Sequence, residues 1–314
     1  MIVSVKEAAV LIQSGNVVGL PTETVYGLAA DASSIKAVRK IFDLKQRPAD
    51  NPLIVHISST DEAEDLAEAE NEDFRRLAKA FWPGPLTLVL PKKALVLDII
   101  TAGLDTVALR MPDHPKMLSV IENTGPVAAP SANWSGRPSP TRPEHVEDDF
   151  GEDFPVVDGG SCSVGIESTV LDLSGDSPVI LRPGQVTADQ IEAILKKRVE
   201  QQSSDKDQIR RSPGTRYSHY KPNASVQWMV SGDTTLTHQP VTLYIYHTDE
   251  PKDKNENTLC FSRNYGEFAK SLYDLYRTAD KKNYDFIKIE PFVSIPDSTI
   301  IPALINRIQR SVSA

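Results

Sequence analysis

Short apolar runs that read as β-strands alternate with amphipathic helical stretches through residues 1–200, and several of those strands end in polar islands. Strand and helix periods recur in turn without either dominating, which restricts the chain to an α/β architecture. The islands are residues 21–27, residues 45–52, Arg110, residues 130–139, and residues 167–169 leading on to Arg182. A loop at a strand end aims its side chains from a rigid edge, so these islands are the natural walls of a ligand pocket. Hydroxyls and cations dominate them while carboxylates are few, a chemistry that suits an anion better than a metal or a sugar.

The local signals are consistent along this part of the chain. Ser4 and Glu7 set out a capping box for a helix ending near Gly15, and residues 17–20 read as the strand that follows. Ser33 or Ser34 caps a second helix whose Ile35, Val38, Ile41 and Phe42 share a face. Strands are predicted over 53–57, 87–90, 106–109, 127–129, 156–157, 169–173 and 179–181. Helices are predicted over 74–81 and 115–122, and after the Thr187/Gln190 cap. The sum is a mixed α/β domain of about 200 residues whose strand order the sequence leaves open.

Residues 201–207 are polar and mark a linker. The stretch 212–222 is different in kind, with Tyr217, Tyr220, His219, Arg216 and Lys221 close together, and reads as a linker that docks on something. Its surroundings are basic: Lys206, Arg210, Arg211, Arg216 and Lys221 face only Asp205 and Asp207. Strands at 226–230, 241–246, 259–262 and 286–289, with amphipathic helices at 265–277 and 300–310, then suggest a small doubly wound sheet. That sheet lacks the glycine-rich turn of dinucleotide binders.

Composition excludes several classes. The 314 residues carry a net charge of −9, which argues against nucleic-acid binding over the whole surface and leaves room for a small basic pocket. The acidic runs at 61–73 and 144–153 read as solvated faces. No apolar run approaches the roughly 20 residues of a membrane span, and residues 1–7 carry no secretory signal. Cys162 and Cys260 match neither a zinc nor a redox spacing, so a reducing cytoplasm is the expected location.

Within the islands, Lys45 and Arg47 close the second helix and serve either its C-terminal dipole or an anion. Pro48 favours the second, because it forces Arg47 out of helical geometry and into a loop held extended by Asn51 and Pro52. Thr22, Glu23 and Thr24 are either turn chemistry or hydrogen-bonding ligands, and Tyr26 is equally a core residue. His56 ends a strand, where a structural role is commoner. Arg110 emerges at a sheet edge and should meet a carboxylate of the protein or of a ligand. Ser131, Asn133, Ser135, Arg137 and Ser139 lie in a stiff loop that can cradle phosphate. No phosphate-binding loop of the Gly-x-x-x-x-Gly-Lys type is present, and the nucleophile-elbow motif is missing around Ser131.

Four ordered motifs then resemble the YrdC-like family of threonylcarbamoyl-AMP synthases. They are Pro21-Thr22-Glu23-Thr24-Val25-Tyr26-Gly27-Leu28, Lys45-x-Arg47-Pro48 with Asn51-Pro52-Leu53, Trp82-Pro83-Gly84-Pro85-Leu86-Thr87, and Pro130-Ser131-Ala132-Asn133. Ser212, Pro213, Gly214, Tyr217, His219 and Tyr220 resemble the linker of the family's longer branch, which leads to a Rossmann-like C-terminal domain. The resemblance implies a twisted mixed-sheet YrdC-like domain at 1–202, a docking linker at 203–224 and a smaller Rossmann-like α/β domain at 225–314.

It also implies a nucleotidyltransferase that joins L-threonine, bicarbonate and ATP into L-threonylcarbamoyl-AMP with release of pyrophosphate, for threonylcarbamoyl modification of tRNA adenosine. By the same resemblance, Thr24, His56, Arg110 and Thr169 would contact threonine. Lys45, Arg47, Asn51, Thr106, Ser131, Asn133, Ser139, Arg182 and Tyr217 would surround ATP, with Lys45 and Arg47 as the catalytic pair. Mg2+ would accompany ATP without a protein-built metal site. A tRNA-modification transferase machinery would take up the product, tRNA itself is a further partner, and no membrane is involved. The competing readings are a non-catalytic double-stranded RNA or tRNA-binding module, and a carbamoyl-transfer enzyme acting on another acceptor.

Overall fold

The computed structural model describes residues 1–201, 220–230, 241–251, 255–293 and 299–312. Tyr217, His219 and residues 203–219 of the linker therefore lie outside the described residues. Two sheets organise the rest. The first has nine strands in the order β1-β2-β6-β3-β5-β4-β7-β8-β9, ending on the short edge strand β9 (Glu200–Gln201), and the second has four in the order β10-β13-β11-β12.

The first sheet is mixed. Strands β3 (Ile54–His56) and β5 (Thr106–Arg110) run parallel, as do β4 (Leu86–Pro91) and β7 (Thr169–Asp172). Strand β6 (Val127–Ala128) is antiparallel to both β2 (Gly27–Asp31) and β3, β5 is antiparallel to β4, and β8 (Val179–Arg182) is antiparallel to β7. Helix α1 (Val5–Gln13) opens with the full capping box, Ser4 Oγ accepting from Glu7 N and Glu7 reaching back to Ser4 N. Helix α2 (Ile35–Lys45) buries Val38, Ile41 and Phe42, as its spacing requires, and ends at Gln46 in the left-handed conformation. One apolar cluster spans Leu28, Ile41, Val55, Leu77, Leu88, Leu109, Leu171 and Ile191, and a second, of Ile54, Val89, Ala108, Val170, Val179 and Leu181, takes the alternate strand positions, so both faces of the sheet are covered.

The chain departs from its local signals in three places. Strand β2 pairs with β1 (Val18–Leu20) although residues 27–31 carry only small residues around Leu28, because burial on both faces supplies what the sequence lacks. Residues 156–157 form isolated bridges from Val156 to Ile2 and Gly19 rather than a strand. The acidic run 144–153 is helix α7 (Pro143–Phe150), and its Asp149 is buried rather than solvated, paired with Arg137 and Arg277.

The second sheet is fully parallel, built from β10 (Ser225–Trp228), β11 (Thr242–Tyr246), β12 (Thr258–Cys260) and β13 (Phe286–Ile289). Helix α9 (Tyr265–Lys281) and helix α10 (Ile301–Ser311) cover it with Phe268, Leu272, Tyr276, Leu304 and Ile308. The same apolar cluster takes in Val25 and Ile166 from the first domain, so the two units share a core at their junction. Gly165 makes that approach possible: its φ is +80°, and a Cβ there would lie 2.3 Å from the Lys270 backbone of α9. Among the described residues, no helix is long and apolar enough to cross a membrane.

Candidate active site

A polar hollow and, beside it, a buried polar cluster lie at one edge of the first sheet. The first is lined by Lys45, Arg47, Pro52, Leu53, Ile54, Pro130, Ser131, Asn133, Ser135, Glu167, Arg182 and Tyr220, and encloses about 490 Å³ including its mouth. The topology assembles it from distant stretches. Strand β6 runs antiparallel to β3, which carries the loop that leaves β6 back to the start of β3 and to the end of α2. Strand β8 delivers Arg182 from the other side.

Lys45 is buried at the last turn of α2, and its Nζ donates to the carbonyls of Ser131 and Asn133 at 2.6 Å each. Burial, and then the neighbouring Arg47 guanidinium, hold its pKa well below the ordinary lysine value. Arg47 donates from Nε to Asn51 O and from Nη2 to Pro52 O, which shapes the loop before β3. Ser131 presents its backbone to this lysine. Asn133 donates from Nδ2 to the carbonyls of Trp134 and Arg137, and its buried Oδ1 has no hydrogen-bond partner among the described residues. Arg182 donates to Ser168 O and Ser168 Oγ at 3.1 Å each. Burial lowers its pKa from the usual arginine value.

The buried cluster centres on Arg110. Its Nη2 lies 2.7 Å from Glu23 Oε1, its Nη1 donates to Thr24 Oγ1 at 2.9 Å, and its Nε donates to Gly84 O at 3.2 Å. Thr24 in turn shares a hydrogen bond with Thr22 Oγ1. His56 pairs with Arg110 in the β3–β5 register, and its buried Nδ1 has no hydrogen-bond partner among the described residues. Burial and then the Arg110 charge push the His56 pKa down to about 3, so the ring is neutral near pH 7. Ile54 and His56 are two positions apart and so share one face of β3, which sets the cluster on the same side of that strand as the lining residue Ile54. Residues 84–87 join cluster and hollow on the opposite side: Pro85 O accepts from Thr169 N, and Thr87 Oγ1 shares a hydrogen bond with Ser168 Oγ.

The structure therefore brings Lys45, Arg47, Ser131, Asn133 and Arg182 into one concavity, and Thr24, His56 and Arg110 into the buried cluster beside it. Other candidates stand apart. Thr106 begins β5, two residues before the Ala108 that pairs with Ile54, and does not line the cavity. Asn51 and Ser139 also lie behind the lining; Ser139 Oγ donates to Glu167 Oε1 at 2.6 Å. Thr169 is buried with its hydroxyl donated to Val186 O, because the strand turns it away from Arg110. Arg137, placed by its loop near the phosphate cradle, instead meets Asp149 at 2.7 Å. Of the other lining residues, Ser135 belongs to the loop expected to cradle phosphate and Glu167 to the last polar island, whereas Tyr220, from the docking stretch, carries no ligand signal of its own. Glu167 directly precedes the hydroxyl pair Ser168-Thr169, and that adjacency was the available signal.

A curled mixed sheet with a polar hollow and a neighbouring buried arginine–carboxylate cluster at one edge, and a small parallel-sheet unit packed beside them, defines a two-part α/β protein of the YrdC-like class. Residues 10–184 match the Sua5/YciO/YrdC family model, described as telomere recombination, and residues 186–313 match the threonylcarbamoyl-AMP synthase C-terminal domain. The chain belongs to this family. It is 42% identical to the threonylcarbamoyl-AMP synthase of Bacillus subtilis (strain 168) over 98% of this chain and 92% of the relative. It is 40% identical to the threonylcarbamoyl-AMP synthase of Pyrococcus abyssi (strain GE5 / Orsay), over 98% of this chain and 93% of that one. The crystal structure of P. abyssi Sua5 complexed with L-threonine superposes with a TM-score of 0.85 at 36% identity, covering 99% of this chain and 97% of that chain.

Proposed function

We propose that the chain makes L-threonylcarbamoyl-AMP in this hollow and the buried polar cluster beside it. It is a threonylcarbamoyl-AMP synthase, an adenylate-forming nucleotidyltransferase, as its full-length relatives are named. ATP takes the hollow of Lys45, Arg47, Ser131, Asn133 and Arg182, and L-threonine takes the cluster of Thr24, His56 and Arg110. Bicarbonate or CO2 enters between them. The observation that carries this division is the joining of a cationic, hydroxyl-edged cavity to a separate arginine–carboxylate cluster through residues 84–87.

The chemistry follows from placement and charge. The threonine amine adds to the carbon of CO2 with loss of a proton, or to that of bicarbonate with loss of water, to give a carbamate, one of whose oxygens attacks the α-phosphorus. Pyrophosphate leaves in line as the new P–O bond forms. Neutral His56 does not compete for the threonine carboxylate as a cation, which leaves Arg110 to bind it while Glu23 draws the ammonium end. Lys45 keeps further donor capacity beyond its two carbonyl partners and faces the phosphates, with Arg47 and Arg182 as planar forks beside it. An incoming triphosphate restores the lysine proton that burial disfavours.

Asn51, Thr106 and Ser139 support the loops and strands that carry this set, and Thr169 holds the Val186 carbonyl behind it. Magnesium travels on the triphosphate. The lining carboxylate, Glu167, is already engaged by Ser139, Tyr273 and Arg307 and is not offered to a metal. The product serves threonylcarbamoyl modification of tRNA adenosine through a downstream transferase, in the cytoplasm, where the free thiols of Cys162 and Cys260 stay reduced. We divide the chain into a catalytic domain at 1–202, a linker at 203–224 that supplies Tyr217, and a small domain at 225–314.

Pyrophosphate release from ATP tests the reading. Release that requires both threonine and bicarbonate is expected; release that needs neither, or none with both present, would end it.

A further inference from the structure

Glu167 lines the proposed ATP hollow, yet its carboxylate is held by the other domain. Arg307, from the middle of α10, donates from Nε to Glu167 Oε2 at 2.8 Å, from Nη2 to Glu167 O at 3.2 Å and from Nη1 to Pro183 O at 3.0 Å. Tyr273, from α9, donates its hydroxyl to the same Oε2 at 3.0 Å. Tyr220, itself a lining residue, stacks on the Tyr273 ring at 5.2 Å between centroids and lies 5.7 Å beneath the Arg307 guanidinium. Arg307 is 0% exposed, a full-length arginine desolvated for this contact. Burial alone would raise the Glu167 pKa, but Arg307 and Arg182, with the Ser139 hydroxyl, hold it at about 2.

An ionised carboxylate in the wall of a triphosphate pocket is a liability unless its charge is cancelled. Lys45 and Arg182 are cations of that wall within electrostatic reach of Glu167. Left without Arg307, Glu167 would draw one of them to itself and away from the phosphates, or it would repel the phosphates directly.

We propose that Arg307, assisted by Tyr273, is a positioning residue for ATP: it neutralises Glu167 and pins the 167–168 backbone, so the small domain sets the charge of a pocket whose cations, among the described residues, come from the first domain. The inference rests on the reading that ATP occupies this hollow. It assigns the small domain a direct part in nucleotide affinity and none in threonine affinity.

Calorimetric titration of the full-length protein with ATP, and separately with L-threonine, tests it. Arg307→Gln should weaken ATP binding at least tenfold and change threonine binding less than threefold. Arg307→Lys, which keeps the charge and loses the fork, should fall between Arg307→Gln and the wild type. Adding Glu167→Gln to Arg307→Gln should recover at least threefold of the lost ATP affinity, because the unpaired charge is gone; a purely structural role for Arg307 would give no such recovery. If Arg307→Gln does not fold, Tyr273→Phe, which removes one hydroxyl, should weaken ATP binding two- to fivefold. Unchanged ATP affinity in the foldable variants, equal losses for both ligands, or no recovery in the double variant overturns the proposal while leaving the ATP assignment standing. A wild-type protein that binds no ATP removes both.

Discussion

Arg110 and Arg307 each reach a buried glutamate beside the site, but they are supplied in opposite ways. Arg110 closes β5 and meets Glu23 on the loop between β1 and β2, so the pair belongs to one domain and one sheet edge. Arg307 crosses from α10 to Glu167, 140 residues away in the chain. The two halves of the site are therefore unequally independent. The threonine half is complete once the first sheet has formed, whereas the nucleotide half reaches its working charge only when the small domain has docked.

The largest effect should come from breaking the self-contained pair. Arg110→Gln strands the buried Glu23 carboxylate, a loss of about 3–5 kcal/mol by the usual cost of removing one partner from a buried ion pair. Threonine binding should fall at least a hundredfold and the melting temperature should drop with it, while ATP affinity moves less than threefold. Comparable losses for both ligands would show that the hollow and the cluster are one unit, against the division drawn from the geometry.

Acid should expose the other pair. Despite burial, Arg307 and Arg182 hold the Glu167 carboxyl at about 2 in the folded protein, below its ordinary value of 4.5, so its folded pKa is depressed. The corresponding stability, about 3 kcal/mol from the size of that shift, is fully present above pH 4.5 and is lost as the pH falls towards 2. Thermal melts between pH 6 and pH 3 should therefore show an acid limb that Glu167→Gln flattens. An unchanged limb in that variant would mean that the interdomain pair contributes nothing to stability.

The smallest of the three concerns the phosphate cations. Lys45→Ala or Arg47→Ala should each lower ATP-dependent pyrophosphate release at least tenfold, since each removes a charge-assisted contact of about 1.5–3 kcal/mol. The depressed Lys45 pKa sharpens the test. As the pH rises the wild-type lysine loses its proton, so wild-type ATP affinity should weaken and approach that of Lys45→Ala, whose own affinity lacks this dependence. Full activity in both variants would remove this loop from the site.

How much of this could be read along the chain differs by region. The helix starts at Ser4, Ser34 and Thr187 follow from hydroxyls that satisfy the first backbone N–H groups, a signal contained within four residues. The convergence of Lys45, Arg47, Ser131 and Arg182 was likewise anticipated, because loops leaving strands of one sheet share an edge. Thr169 shows the limit: its type and neighbours suit a ligand contact, and only the turn of β7 gives its hydroxyl to Val186. Asp149 is a second case, an acid within an acidic run that two arginines draw inside.

Arg307 is the clearest example. It sits three residues after Leu304 and one before Ile308, on the buried stripe of an amphipathic helix, where a charged residue should not be unless it has a partner. The linear chain could flag that anomaly without naming Glu167. Local periodicity and capping specify which segments become strands and helices, because those choices depend on neighbours a few positions away. The pairing of buried charges depends on which surfaces dock and which water is expelled between them, and that is decided only when two separately patterned units fold against each other.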